Sequence, residues 1–447
     1  MSERHDRLAL LDRYVRIATV SRRVTPAMVA EVQALWRSLG LELTPLLPED
    51  GAGTPCLYGE IAGPPGAPTL LVYGHYDVQP PGDVTQWVWE GVRCEPFAPT
   101  CFQEGQPVDP AALPAEALDG VVLVARGGAD NKGQHLAALL GLLDAARAGT
   151  LQWRVKVLLD GEEEHGSPHL RAVAERYRDR LAADLVVGSD GPKQRNRPTL
   201  VLGVRGLLIV DIVAENGAPA SLHSGNYGNI LPNPVLPLAR LIADIEGRVR
   251  AYAERHDAFR QEAEQTFAEL ATEATWRPFL WPTVNVNHLM SEGASPELTR
   301  TIIPRSVHAR LDVRLTPDTP PTAVRAIVEE AATAHAALEP GLSFIVRTGD
   351  DLPASFTPPK HPAYEWLLGL LAQTGGPPVV VPLLGGTLPA YVFTEVLRRP
   401  TFWLPAANSD NRQHDVNEHY VLAHFFQQMD LYRRIASSHP LEGATTR

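Results

Sequence analysis

Val155-Lys156-Val157-Leu158-Leu159-Asp160-Gly161-Glu162-Glu163-Glu164-His165-Gly166-Ser167 runs an apolar stretch straight into three consecutive carboxylates, a histidine and a turn. A short, near-continuous apolar run predicts a strand buried on both faces, the kind found inside parallel sheets. Three adjacent carboxylates repel one another and stay solvated unless strong positive charge sits among them. The stretch therefore reads either as an exposed acidic loop or as part of a cation site. The rest of the chain decides between them.

Working outward, the same pattern recurs. Thr69 to Gly74 is an apolar strand ending in His75-Tyr76-Asp77-Val78-Gln79-Pro80-Pro81. Val121 to Ala125 is followed by Arg126-Gly127-Gly128-Ala129-Asp130-Asn131-Lys132-Gly133, and then by Leu136, Leu139, Leu140 and Leu143 at helical spacing. Asp184 to Gly188 closes on Ser189-Asp190-Gly191. Helices are predicted over residues 6–40, as a pair, and over 170–181. Strands alternating with helices describe an α/β domain with a mostly parallel sheet. Ligands in such sheets bind beyond the carboxyl ends of the strands. That rule puts His75, Asp130, Glu163, Glu164 and Asp190 on one rim.

Residues 82–119 read as one long loop rich in Pro and Trp. After Pro198 the texture changes. Strands are expected over 200–214, 282–289, 307–315 and 342–346, with helices at 235–245, 251–271 and 323–337. Strand-helix-strand-strand-helix-strand suggests a smaller α+β, ferredoxin-like domain. From about Ser355 the α/β texture resumes, with a helix at 363–372 and strands near 379–382 and 401–404. The expected division is therefore a catalytic domain of residues 1–198 and 354–447 with an inserted domain of 199–353.

The balance of 40 basic against 52 acidic residues, without a basic stripe, argues against nucleic acid or an anionic membrane as partner. Three irregularly placed cysteines, Cys56, Cys94 and Cys101, make neither a disulfide framework nor a thiolate zinc site. No apolar run approaches the length of a spanning helix, and no secretory signal follows Met1, so a cytoplasmic protein is expected.

Each residue on the rim has an ordinary explanation when taken alone. His75 can be a hydrogen-bonded histidine at a strand end. Asp130 can cap a helix, in competition with Asn131, and Asp190 before Gly191-Pro192 can be a turn residue. His414 has a rival in His419. Together they suit zinc or another first-row divalent ion taking nitrogen and oxygen ligands. Two such ions about 3.5–4 Å apart need a bridging group, and one aspartate can span them. A water between them is then the nucleophile, and a carboxylate beside it, off the metal, is the general base.

The ordered set of motifs resembles the M20 family of di-zinc metallopeptidases, in particular its dipeptidase branch, similar to cytosolic carnosinases. The matching stretches are His75-x-Asp77, Asp130 within 126–133, Glu163-Glu164-His165-Gly166-Ser167, Asp190, and His414-Asp415-Val416-Asn417-Glu418. Downstream of the first four, Leu222-His223-Ser224-Gly225, Pro282 to Asn287, Thr301 to Pro304 and Gly385-Gly386-Thr387-Leu388-Pro389 match too. The resemblance implies one metal on His75, Asp130 and Asp190 and another on Asp130, Glu164 and His414. It implies Glu163 as general base, Asp77 orienting His75, His223 stabilising the oxyanion, and Arg314 holding a substrate carboxylate in a pocket lined by Gly386 and Thr387. The implied cofactor is two zinc ions, with manganese or cobalt as alternatives. The implied substrate is a dipeptide or short peptide with a free carboxylate. Deacylation of N-acyl amino acids and carboxypeptidase action are the other enzymatic readings, and a non-catalytic binding homologue is the remaining one. A homodimer through the inserted lid or dimerisation domain is also implied. Glu162 is left as a solvated or supporting residue. Asn131 stands where many relatives have a second Asp, a change expected to matter little. Leu383-Leu384 replaces an Arg-Glu pair of carnosinases, which leaves side-chain preference open, and His288 replaces a common Gly.

Overall fold

The computed structural model describes residues 2–267, 274–292, 300–349 and 351–440. It forms two compact units. One comprises Met1–Gly203, Phe356–Val381 and Pro389–Arg447, and the other Val204–Ser355 and Pro382–Leu388.

The first unit is built on an eight-stranded sheet in the order Thr44–Leu46, Cys56–Ile61, Arg154–Asp160, Thr69–His75, Leu185–Gly188, Thr401–Trp403, Thr199–Val201, Val379–Val381. The four strands from Arg154–Asp160 through Thr401–Trp403 run parallel to one another. The expected mostly parallel sheet is present. Its strands read as continuous apolar runs because both faces are covered: Leu70, Leu71, Val72, Val155, Val157, Leu158, Leu159, Val186 and Val187 are all buried. The two strands Thr44–Leu46 and Cys56–Ile61 escape the sequence reading, the first because three residues carry no periodicity and the second because Gly59 and Glu60 interrupt its pattern.

Two expectations are corrected. Val121–Val124 does not join the parallel sheet; it lies in a separate antiparallel sheet between His419–Val421 and Thr100–Gln103. The 82–119 region is not one structureless loop. It folds into short strands at Val88–Trp89, Val92–Arg93, Thr100–Gln103 and Gln106–Pro107, each too short to show alternation. Trp87, Cys94, Phe102 and Val124 give it an apolar cluster of its own, against which Val416 packs.

The helix Gly133–Arg147 is buried along nearly its whole length and packs against Leu422–Ala436. At Gly141 a Cβ would meet the Met429 carbonyl at 2.4 Å, so the crossing requires glycine. Among the described residues no helix is long and apolar enough to cross a membrane.

The second unit carries an antiparallel sheet in the order Thr283–Ser291, Ser306–Leu315, Gly206–Glu215, Ser343–Thr348. Burial alternates along Gly206–Glu215, sending Leu208, Val210, Ile212 and Ala214 to the core. Val235–Arg255 and Pro321–Leu338 cover that face. This is the strand-helix-strand-strand-helix-strand order read from the sequence. The helix boundary differs: one helix continues to Arg255 and the next spans Ala258–Phe267, because Leu241, Ile242, Ile245, Val249 and Ala253 form one unbroken buried stripe. The expected continuation to residue 271 lies outside the described residues.

Candidate metal centre

Arg154–Asp160, Thr69–His75 and Leu185–Gly188 are adjacent and parallel, so whatever follows their carboxyl ends converges. Glu163 and Glu164, His75, and Asp190 arrive by that route. Asp130 reaches the same place from the antiparallel sheet, through a turn in which Gly127 takes a positive φ of 81° and Asp130 is extended. His414 arrives from the loop before His419–Val421.

The result is two clusters that share one residue. Ligand-capable atoms of His75, Asp130 and Asp190 all lie within 4.8 Å of one another, and so do those of Asp130, Glu164 and His414. Asp130 turns its two oxygens to different sides: Oδ1 is 3.1 Å from His75 Nε2 and Oδ2 is 3.2 Å from His414 Nε2. Asp190 Oδ2 stands 3.6 Å from His75 Nε2, and Glu164 Oε2 stands 3.2 Å from His414 Nε2. Glu163 belongs to neither trio. Its Oε2 is 3.8 Å from His75 Nε2, and its carboxylate has no hydrogen bond among the described residues.

His75, Glu164 and Asp190 are held from behind. His75 Nδ1 lies 3.0 Å from the Asp77 carbonyl and 3.4 Å from the Asp77 carboxylate, which turns Nε2 toward the cluster. The Asp77 carboxylate also accepts the backbone N–H groups of Glu163 and Glu164, at 3.1 and 3.2 Å. It therefore ties the histidine turn to the acidic turn. Gln79 grips Glu164 from both its backbone N–H and its side-chain amide, each at 3.0 Å. Asp160 closes the acidic loop by accepting from Glu162 N–H and Ser167 Oγ.

Glu162 is buried, accepting from Thr54 N–H at 2.9 Å and pairing with His169 Nδ1 at 2.6 Å. It is a supporting residue, not a solvated one. Asn131 has more to do than its sequence context suggested. Its amide donates to Asp190 Oδ1 at 2.8 Å, and its oxygen lies 2.9 Å from His135 Nδ1. With Gly191 N–H on the same Asp190 oxygen, Oδ2 is left facing His75. Gly74 leaves room for this, since a Cβ there would meet Asn131 Oδ1 at 3.0 Å and His135 Cβ at 2.6 Å.

The electrostatics call for cations. Burial, with Asp130 adding to it, pushes Glu164 up to about 7. Burial raises Asp190 to about 6. Glu163 is also raised, by burial first and then by the neighbouring carboxylates. Hydrogen bonds to Asp130 and Glu164 push His414 up to about 10. Burial opposes ionisation of Asp130, yet His414 and His75 outweigh it and hold that carboxyl low. Three crowded carboxyls raised by burial, beside a histidine raised by its carboxylate partners, describe a site short of fixed positive charge. Two imidazole nitrogens and three carboxylates, one reaching both clusters, fit a pair of divalent first-row ions.

His419 does not compete with His414. It is buried, with Nδ1 3.2 Å from the Asn417 carbonyl and its ring 4.5 Å from that of Trp89. His414→Ala should therefore lower metal content by one ion per chain and His419→Ala should not, as read by elemental analysis. Equal content in both variants would remove His414 from the ligand set.

The remaining candidates belong to the second unit. Arg314 donates to Thr387 Oγ1 at 3.0 Å and pairs with Asp312 at 3.0 Å. Thr387 and Gly386 lie in the 382–388 segment of that unit. His223 is exposed, its Nδ1 accepting from Gly225 N–H and its Nε2 3.2 Å from Thr301 Oγ1.

A family model described as peptidase family M20/M25/M40 matches residues 71–438. The chain is 25% identical over 317 residues to a probable di- and tripeptidase, DUG2, of Saccharomyces cerevisiae, covering 64% of this chain but only 33% of that longer protein. It is 25% identical over 419 residues to the Cys-Gly metallodipeptidase dug1 of Schizosaccharomyces pombe, covering 85% and 81% of the two chains. In fold it is similar to an M20 family metallo-carboxypeptidase, Sso-CP2, of Sulfolobus solfataricus, with a TM-score of 0.77 and 24% identity across 99% of this chain and 100% of that one.

Proposed function

This chain belongs to peptidase family M20/M25/M40, and from that premise we propose that it is a dinuclear metallodipeptidase acting on short peptides with a free carboxylate. The observation that supports this most is the division of Asp130 between two clusters, one oxygen to each. One ion would be held by His75, Asp130 and Asp190, the other by Asp130, Glu164 and His414. Zinc suits the nitrogen and oxygen donors, with manganese or cobalt as substitutes. When bound, such ions supply Lewis acidity at the scissile carbonyl and acidify a nearby water.

The chain's own residues do the rest. Glu163, whose carboxylate makes no hydrogen bond among the described residues, takes the water's proton and delivers it to the leaving amine. Asp77 holds both His75 and the Glu163 backbone, so base and ligand keep a fixed separation. Arg314 offers a guanidinium fork to the substrate carboxylate, and Thr387 and Gly386 border that group. His223 donates to the oxyanion.

The first unit is the catalytic domain in this reading, and the second serves as lid and dimerisation domain. A homodimer is supported by the edge strand Thr283–Ser291, which exposes Val286, Leu289 and Met290. A cytoplasmic location, and no nucleic-acid or membrane partner, complete the proposal.

The deciding experiment is a substrate panel after reconstitution with zinc, manganese or cobalt. Cys-Gly and other α- and β-aminoacyl dipeptides are set against N-acetyl and N-succinyl amino acids and longer peptides. Metal-dependent turnover of dipeptides above all others is expected. Preference for the acylated amino acids would replace the reading with a deacylase, and preference for longer peptides with a carboxypeptidase.

A further inference from the structure

We propose that the buried Arg126–Glu418 pair is a positioning device that sets the separation of Asp130 from His414, and through it the affinity for both ions. This rests on the dinuclear reading above. Neither residue belongs to either ligand trio; each acts through a neighbour.

Glu418 is fully buried. Its Oε1 accepts the backbone N–H groups of Ala129 and Asp130, both at 2.9 Å. Its Oε2 accepts Gly127 N–H at 3.0 Å and Arg126 Nη1 at 2.8 Å. Four donors thus converge on one carboxylate, three of them from the turn that delivers Asp130. Only an ionised carboxylate accepts at that many positions without carrying a donor of its own.

Arg126 extends the grip to the other loop. Its Nη2 donates to the Asp415 carbonyl at 2.8 Å, one residue beyond His414. This loop needs holding: His414 and Asn417, neither of them glycine, take positive φ values of 67° and 62°. Such conformations persist when their surroundings over-determine them. The backbone adds a further tie, from Ala125 N–H to the Glu418 carbonyl at 3.0 Å. One ion pair therefore fixes the main chain on both sides of the 3.2 Å approach between Asp130 and His414.

A pair that merely stabilised the fold would leave ion binding alone once the protein had folded. A positioning pair has a different signature. Glu418→Gln would turn an amide N–H toward N–H donors and loosen the Asp130 turn, which both ions share. Arg126→Lys keeps the positive charge beside Glu418 but cannot also reach Asp415, so it frees only the His414 side.

The test is calorimetric titration of the full ion-stripped chain with Co²⁺, together with the cobalt absorption spectrum. The wild type should take up two ions. Glu418→Gln should bind both about 10–100-fold more weakly, the range usual for residues that orient metal ligands, with shifted cobalt bands. Arg126→Lys should weaken one ion and leave the other unchanged. Wild-type affinities and spectra in both variants would overturn the proposal even if turnover fell. Where Glu418→Gln fails to fold, Arg126→Lys decides alone, and two unchanged affinities there overturn it. A wild-type chain that takes up no second ion overturns the dinuclear reading, and this proposal with it.

Discussion

Glu163→Gln is expected to keep two ions per chain and to lose turnover by about 10²–10⁴-fold, the usual contribution of a positioned general base. The two halves of that expectation have separate origins. Metal is retained because Glu163 lies outside both trios, 3.8 Å from His75 Nε2 at its nearest. Turnover is lost because an amide of the same shape cannot accept the water's proton. The loss should fall on kcat with KM little changed, since the proposed anchor for the substrate's carboxylate is Arg314, not Glu163. Elemental analysis beside initial rates reads both halves. Full turnover in the variant would remove Glu163 from the proton path.

Asp130→Asn should do more damage, and of another kind. Asp130 Oδ1 lies 3.1 Å from His75 Nε2 and Oδ2 lies 3.2 Å from His414 Nε2, so each oxygen serves a different cluster. An amide offers one acceptor and turns its N–H₂ toward the other ion. Metal content should fall below two ions per chain, and activity should fall to that of ion-free protein. Circular dichroism should stay unchanged, because the turn around residue 130 is held through backbone N–H groups that the substitution leaves in place. Two tightly bound ions in this variant would show that the clusters do not share Asp130.

The legible parts of the site were those where a polar residue ends a buried apolar run. His75, Glu163, Glu164 and Asp190 follow three such runs, and those runs are neighbours in one parallel sheet. Asp130 follows a fourth, but an apolar stretch of four residues looks the same in parallel and antiparallel sheets. Val121–Val124 accordingly belongs to a different sheet from the one its pattern suggested. The supporting residues were hidden for another reason. Gln79, Asn131 and Glu418 all stand inside motifs that sequence picks out, yet their partners are far away along the chain, Glu164, Asp190 and the 127–130 turn. No local period records such a pairing. His414 and His419 could not be separated by spacing either; the difference is that one sits exposed in a turn and the other starts a buried strand.

The order of the eight strands has a consequence for how the chain is made. Thr401–Trp403 is inserted between Leu185–Gly188 and Thr199–Val201, two strands synthesised long before it. Until the ribosome has released that late segment, those two strands present unpaired edges, which are templates for association with other chains. His414 emerges later still. Glu418, which holds the Asp130 turn, follows it, so a chain that has not reached these residues can bring His75, Glu164 and Asp190 together but completes neither trio.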